Sequence, residues 1–175
     1  HVESDVYRLW VAEDDGRVRR LPVQSDPLGE MQQVGRGVEP RPVTRRLEHL
    51  GELAGAAHTS YLINLASPHE ELRQKSVAAL TAELERSAAL AIPYVVMHPG
   101  SHGGAGVDKG LCRIVAHLDQ AFCRAHGAEA VMVLLENTAG QGNSLGADFD
   151  ELAFILKKSA YGNRLGICLD TCHLF

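Results

Sequence analysis

No run of apolar residues in this 175-residue chain approaches the roughly 18 that a membrane-spanning helix needs. Its first residues, His1-Val2-Glu3-Ser4-Asp5, lack the basic-then-apolar layout of a signal peptide. Basic charge is in deficit: 17 Lys and Arg against 22 Asp and Glu leave a net charge of −5. That argues against bulk electrostatic binding of nucleic acid, although a local basic face can sit under a negative total. Cysteine is scarce. The four present, Cys112, Cys123, Cys168 and Cys172, have the paired spacing of neither a disulfide framework nor a four-cysteine zinc site. They read as reduced thiols of a cytoplasmic protein. No nucleotide-binding glycine signature is found, because Gly140-Gln141-Gly142 and Gly146 fall several residues past a strand and short of the next helix. His98-Pro99-Gly100-Ser101-His102-Gly103-Gly104 reads as a flexible turn rather than a phosphate cradle. No Ser/His/Asp or Cys/His nucleophile arrangement stands out.

What is present is enough for a folded domain. With 45% hydrophobic and 22% charged residues, a chain of this length buries about two-thirds of its unfolded surface. Residues 1–50 and 51–175 differ in character. The first stretch holds four of the seven prolines, scattered glycines and mixed charge. Residues 6–11 can form one short strand with a hairpin turn near Asp15-Gly16. Residues 22–42 show no periodicity and read as loop, and residues 44–53 as a short helix through Leu47, Leu50 and Leu53. No function is assigned to this part.

Beyond it the pattern becomes regular. Ser67-Pro68-His69-Glu70 has the form of a helix start, with a serine N-cap, proline at the first helical position and glutamate placed for a capping box. Leu72, Val77, Leu80 and Leu84 then mark one apolar face. A buried strand at residues 93–97 follows, then a helix through Leu111, Ile114, Leu118 and Phe122 closed by Gly127. A strand at residues 130–135 ends in Glu136-Asn137. Asp148 caps a third helix, with Glu151 three residues on, and a last strand at residues 165–169 ends in Asp170-Thr171-Cys172-His173. Helices alternating with continuous apolar strands predict an α/β fold with a parallel sheet.

The residues at the strand ends carry the chemistry. His58, His98, Glu136 and Asp170 follow one another at intervals of 40, 38 and 34 residues, each about one βα unit. All four therefore fall at the carboxyl edge of the sheet, where catalytic groups gather in barrels and doubly wound sheets alike. Two imidazoles and two carboxylates converging there make a divalent-metal site, and a nitrogen and oxygen donor set without thiolate favours zinc, manganese or iron. His173 adds a ligand at the mouth. A single histidine after a strand is more often a hydrogen-bonded structural group, and a single acid often caps a helix. The common register of all four is what favours a metal site. His102 is close enough to His98 to support it, whereas His49, His69, His117 and His126 read as solvated surface.

The strings His58-Thr59-Ser60-Tyr61-Leu62-Ile63-Asn64-Leu65, His98-Pro99-Gly100-Ser101-His102, Glu136-Asn137-Thr138-Ala139-Gly140-Gln141-Gly142 and Asp170-Thr171-Cys172-His173 together resemble the endonuclease IV family of zinc-dependent AP endonucleases. The resemblance runs from about residue 57 to the last residue. It implies a (β/α)8 TIM barrel, here incomplete, with about four βα units recognisable in residues ~55–175, within a partial-barrel domain of residues 51–175. It implies that His58 and His98 bind one zinc ion, and that Glu136, on which catalysis would centre, bridges it to a second. Asp170 would bind the second zinc and His173 a third. Tyr61 and Leu62 match the family's DNA-penetrating loop. The implied partner is double-stranded DNA with abasic sites, cleaved 5′ to the lesion to leave a 3′-hydroxyl and a 5′-deoxyribose phosphate. No membrane or obligate protein partner is implied.

Residues 1–50 do not resemble the family's first two units, and the chain stops after what would be its sixth strand. The expectation is therefore at most one well-formed zinc site, the one with matched ligands, little or no nuclease activity, and self-association through open sheet edges. Two alternatives remain at this point: a metal-dependent sugar isomerase or epimerase of the same barrel type, and a non-catalytic zinc- or DNA-binding fragment.

Overall fold

The computed structural model describes residues 10–12, 18–20 and 55–174. The chain separates into two units between Gly55 and Ala56. In the first, strands β1 (Trp10–Ala12) and β2 (Val18–Arg20) pair antiparallel, with Trp10 opposite Arg20 and Ala12 opposite Val18. The antiparallel pairing agrees with the expected hairpin, although the sequence reading puts its strand at residues 6–11, and the turn expected near Asp15-Gly16 lies outside the described residues. The loop expected at residues 22–42 and the helix expected at 44–53 lie outside the described residues, as does His49.

The second unit runs β3 (Ala56–His58), α1 (Glu70–Ala89), β4 (Tyr94–Met97), β5 (Gly100–Ser101), α2 (Val107–Arg124), β6 (Met132–Glu136), β7 (Ser144–Leu145), α3 (Phe149–Lys158) and β8 (Leu165–Cys168). Single 3-10 turns occupy Gly162–Arg164 and Thr171–Leu174. Strands β3, β4, β6 and β8 form one sheet in that spatial order, every pair parallel. A helix lies in each of the three connections, which gives the α/β architecture read from the alternation. Among the described residues no helix is long and apolar enough to cross a membrane.

Alternation along each strand divides the sheet into two faces. Val95, Met97, Val133 and Leu135 are fully buried. They join one apolar cluster with Val77, Leu80 and Leu84 of α1, Ile114 and Leu118 of α2, and Leu152 and Ile155 of α3. The intervening residues line the other face in rows set by the register. One row is His58, Val96, Leu134 and Gly166. At Gly166 a Cβ would stand 2.8 Å from Leu134 Cδ2, so glycine lets the leucine lie across the row. Glu136 and Cys168 stand opposite each other one row further on, at the carboxyl edge.

Two helix starts differ from expectation. Helix α1 begins at Glu70 with His69 as N-cap, not at Ser67. The Ser67 carbonyl, which an N-cap would offer to the first helical N–H, accepts Arg73 Nη1 at 2.7 Å, and the helical ladder opens instead with Arg73 N–H on the His69 carbonyl. Glu70 accepts from Arg73 and Gln74 rather than folding back as a capping box. At α3, Asp148 is the N-cap as expected and accepts the Asp150 N–H at 2.9 Å, but Glu151 reaches past it to the Gly146 N–H at 2.6 Å.

The segment read as a flexible turn after His98 is also tied down. Its Gly100 and Ser101 pair antiparallel with Leu145 and Ser144 of the loop after β6. Two-residue pairings between loops leave no periodicity for a sequence reading to detect.

Candidate metal centre

Strand polarity brings the expected residues together. His58 ends β3, His98 follows β4, Glu136 ends β6, and Asp170 lies two residues past β8. His58 Nε2 lies 2.8 Å and His98 Nε2 3.0 Å from the same oxygen, Glu136 Oε2. On the other side of that carboxylate, His173 Nδ1 is 3.8 Å from Oε1 and 3.5 Å from Asp170 Oδ2. Two groups result, His58 with His98 and Glu136, and Glu136 with Asp170 and His173. In each, one donor atom per residue lies within 4.8 Å of the others. Glu136 belongs to both and is the most enclosed, at 7% exposure.

The imidazoles are held in defined tautomers. His58 Nδ1–H donates to the Thr59 carbonyl at 2.7 Å, and His173 Nδ1–H to the Asn137 carbonyl at 2.8 Å. A carbonyl can only accept, so in each neutral ring Nε2 carries the lone pair. Backbone anchoring of the far nitrogen is how metal-binding histidines are usually oriented. For His58 it has a further consequence. A bare Nε2 and a carboxylate oxygen cannot sit 2.8 Å apart as two acceptors, so a proton or a metal cation has to lie between them. The donor set fits a divalent cation of borderline softness.

The electrostatics point the same way. With a proton rather than a metal between the groups, burial pushes the Glu136 carboxyl toward neutrality, but hydrogen bonds and positive charge from protonated His58 and His98 outweigh it and hold the group well below the usual carboxylate range. Glu136 is thus an anion at neutral pH in a largely enclosed position. Cys168, its register partner, shows the reverse. Burial first, then the charges of Glu136 and Asp170, push its thiol up to about 11, which makes it a poor thiolate donor beside this centre.

The mouth is a cleft of about 180 Å³ whose lining includes His58, Tyr61, Asn64, His98, Ser101 and Thr138. Tyr61 is 75% exposed, yet its ring packs against both imidazoles, with centroids 5.6 Å from His58 and 5.3 Å from His98. Leu62, beside it, is 82% exposed. Two large apolar side chains therefore project at the rim of a charged site.

His102 does not join the centre. Its Nδ1 accepts the Gly106 N–H at 3.2 Å ahead of α2, so it organises a helix start rather than supporting His98. His69 and His126 are exposed, as expected of surface residues, whereas His117 is half-buried with Nδ1–H on the Arg113 carbonyl. Sequence reasoning missed the Thr59 carbonyl, Asn64 and Asn137. The available signal was an asparagine directly after a strand-end ligand, which by itself is indistinguishable from a loop residue.

Comparison with known proteins adds an independent line. The family model described as xylose isomerase-like TIM barrel matches residues 18–175. The probable endonuclease 4 of Chloroflexus aurantiacus is 52% identical over 118 residues, covering 67% of this chain and 41% of that protein. The probable endonuclease 4 of Nitrosopumilus maritimus is 47% identical over 126 residues, covering 72% and 44%. The chain thus spans about two-fifths of the length of these curated relatives. Among solved structures, endonuclease IV from Thermus thermophilus superposes with a TM-score of 0.59 at 40% identity, over 79% of this chain and 48% of that one. A D-tagatose 3-epimerase-like protein superposes with a TM-score of 0.63 at 24% identity, over 75% and 50%, a likeness of fold alone.

Proposed function

This chain belongs to the xylose isomerase-like TIM-barrel family as a member of the endonuclease IV family, and from that premise we propose that it serves zinc-dependent hydrolysis of the phosphodiester 5′ to abasic sites in double-stranded DNA. The observation that carries the reading is the convergence of His58 and His98 on one carboxylate oxygen of Glu136 at the sheet edge. We read residues 51–175 as the part of the barrel that bears this site, acting in DNA repair in the cytoplasm.

In this reading His58, His98 and Glu136 would hold one zinc ion, and Glu136 would be shared with a second held by Asp170. His173, whose Nδ1 proton is committed to the Asn137 carbonyl, offers Nε2 to a third. Bound there, zinc supplies Lewis-acid charge to the phosphate and the departing 3′ oxygen and lowers the pKa of water toward neutrality. The protein's own contribution is placement. Glu136 is kept anionic and enclosed, the His58 and His173 imidazoles are locked in one tautomer, and no side-chain nucleophile is required.

Tyr61 and Leu62 act on the duplex. Apolar wedges open base steps, and an abasic nucleotide leaves the stack at the least cost because no base has to be unstacked. Tyr61 lies directly over His58 and His98, so a nucleotide held against it is delivered to the ligands. The negative total charge does not oppose this, since recognition here rests on metal charge and stacking.

The test is incubation of the full chain with zinc and an end-labelled duplex carrying one abasic site. Expected are preferential binding of the abasic duplex and incision 5′ to the lesion, abolished by chelation and slow beside a full-length relative. No zinc-dependent binding and no incision would overturn the reading. Turnover of ketose sugars in a parallel panel, with DNA ignored, would replace it by the epimerase alternative.

A further inference from the structure

The carboxyl edge carries a repeated device outside the ligand set. Asn137 is buried at 2% exposure immediately after Glu136. Its Oδ1 accepts the Asp170 N–H at 2.6 Å and its Nδ2 donates to the Asp170 carbonyl at 3.0 Å, so one side-chain amide grips both polar groups of one residue. Its backbone N–H donates to the Cys168 carbonyl at 3.2 Å, and its own carbonyl accepts His173 Nδ1–H. Asp170 is therefore fixed at the backbone, and its Oδ1 accepts the Cys172 N–H at 2.7 Å, which turns Oδ2 toward His173.

Asn64 repeats the grip at the other end of the edge. Its Oδ1 accepts the Ser101 N–H and its Nδ2 donates to the Ser101 carbonyl, both at 3.0 Å. The approach is close enough that a Cβ on Gly100, whose φ is +117°, would lie 2.5 Å from Asn64 Oδ1. Each asparagine joins the loop after one strand to the loop after its neighbour, β3 to β4 and β6 to β8.

We infer that Asn137 is the positioning residue of the Glu136, Asp170 and His173 half of the centre, holding Asp170 through its side chain and His173 through its carbonyl. The physical reason is that neither residue lies on a strand. Asp170 and His173 sit in and beside a single 3-10 turn, which has too few internal hydrogen bonds to fix two ligands. A side-chain amide acting as a substitute strand neighbour supplies the missing pair. Asn64 braces the β3 and β4 loops in the same way but touches neither Asp170 nor His173, which makes it a matched control.

This inference rests on the metal reading proposed above, and the experiment separates the two. The full chain and its Asn137→Ala and Asn64→Ala variants are titrated with Co²⁺, read by visible absorption. Amide hydrogen exchange of Asp170 and His173 is followed in the metal-free proteins. Expected for Asn137→Ala is a first equivalent bound as in the unsubstituted chain, a second weakened roughly 10- to 100-fold, and faster exchange at Asp170. Asn64→Ala is expected to leave the second equivalent and that exchange unchanged. If Asn137→Ala does not fold, Asn137→Asp, which keeps the acceptor and loses the donor, takes its place. Second-equivalent binding and Asp170 exchange both unaltered would overturn the inference. Failure of the unsubstituted chain to bind Co²⁺ would overturn the metal reading, and the exchange rates alone would then decide for or against Asn137.

Discussion

Val95, Met97, Val133 and Leu135 share two strands with Val96, His98, Leu134 and Glu136, at or beside each strand, yet the two sets meet different demands. The first set is dry and pressed against three helices. The second faces the other way and carries imidazole, carboxylate, a buried valine and a half-buried leucine. Adjacent residues can serve opposite ends because the side-chain period of a strand is two, so stability and chemistry are written on alternate positions without competing for them. The face that holds the fold tolerates almost no polar atom. The face that holds the site keeps an enclosed anion, which the apolar cluster on the other side stabilises only indirectly.

Substitutions on each face should separate these roles. The largest effect belongs to the dry face: Leu135→Ala should lower unfolding free energy by about 2–5 kcal/mol, measured by denaturant titration, while metal binding by the folded fraction persists. Next, His98→Ala should weaken the first metal equivalent by more than ~100-fold, beyond the range of a supporting residue, with the thermal midpoint of the metal-free chain little moved. An equal loss of stability and metal affinity in both variants would break the comparison.

Smaller effects sharpen it at the rim. Tyr61→Ala should cost about 1–3 kcal/mol of abasic-DNA binding, the usual worth of a stacking aromatic. Its stability should stay within about 0.5 kcal/mol, since the side chain is largely exposed. Gel-shift and melting measurements check the pair of outcomes. Smaller again is the thiol contrast. Cys112, Cys123 and Cys172 are exposed, whereas Cys168 is half-buried with its pKa pushed up to about 11. A higher pKa lowers the thiolate fraction and partly compensates through nucleophilicity, so Cys168 should react roughly tenfold more slowly with a disulfide reagent near pH 8. The time course should show three fast thiols and one slow one.

Much of this is legible in the amino-acid sequence. The strand-end residues His58, His98, Glu136 and Asp170 announce themselves because each βα unit returns the chain to the same edge after a nearly constant length. The apolar face of α2 and the Asp148 cap follow from local chemistry and appear as expected, and so does that of α1 at Val77, Leu80 and Leu84, whereas Leu72, counted on the same face, is exposed in the first turn. What stays hidden depends on contacts between segments far apart in the chain. Ser67 looks like a cap, and its Oγ does accept the His69 N–H, yet its carbonyl serves Arg73 and the helix starts two residues later; Gly100-Ser101 looks like a turn until Ser144 and Leu145 pair with it. Tyr61 enters the sequence reading only through the family's loop, and its packing against His58 and His98 depends on two strands meeting. Asn64 and Asn137 act through backbone atoms 37 and 33 residues away, which no local pattern encodes.

The short β5 and β7 pairing has a kinetic meaning as well as a geometric one. Besides its own register, it is reinforced by the His102 N–H on the Asn143 carbonyl and by Thr138, whose N–H donates to the Gly146 carbonyl and whose hydroxyl donates to the Leu145 carbonyl. The loop behind His98 and the loop behind Glu136 are therefore expected to open as one cooperative unit, with the amides of His102 and Thr138 equally protected in hydrogen exchange. Opening at the mouth would then be a single event on the His98 and Glu136 side of the centre, and an ion or a nucleotide strand entering there would meet one barrier instead of two.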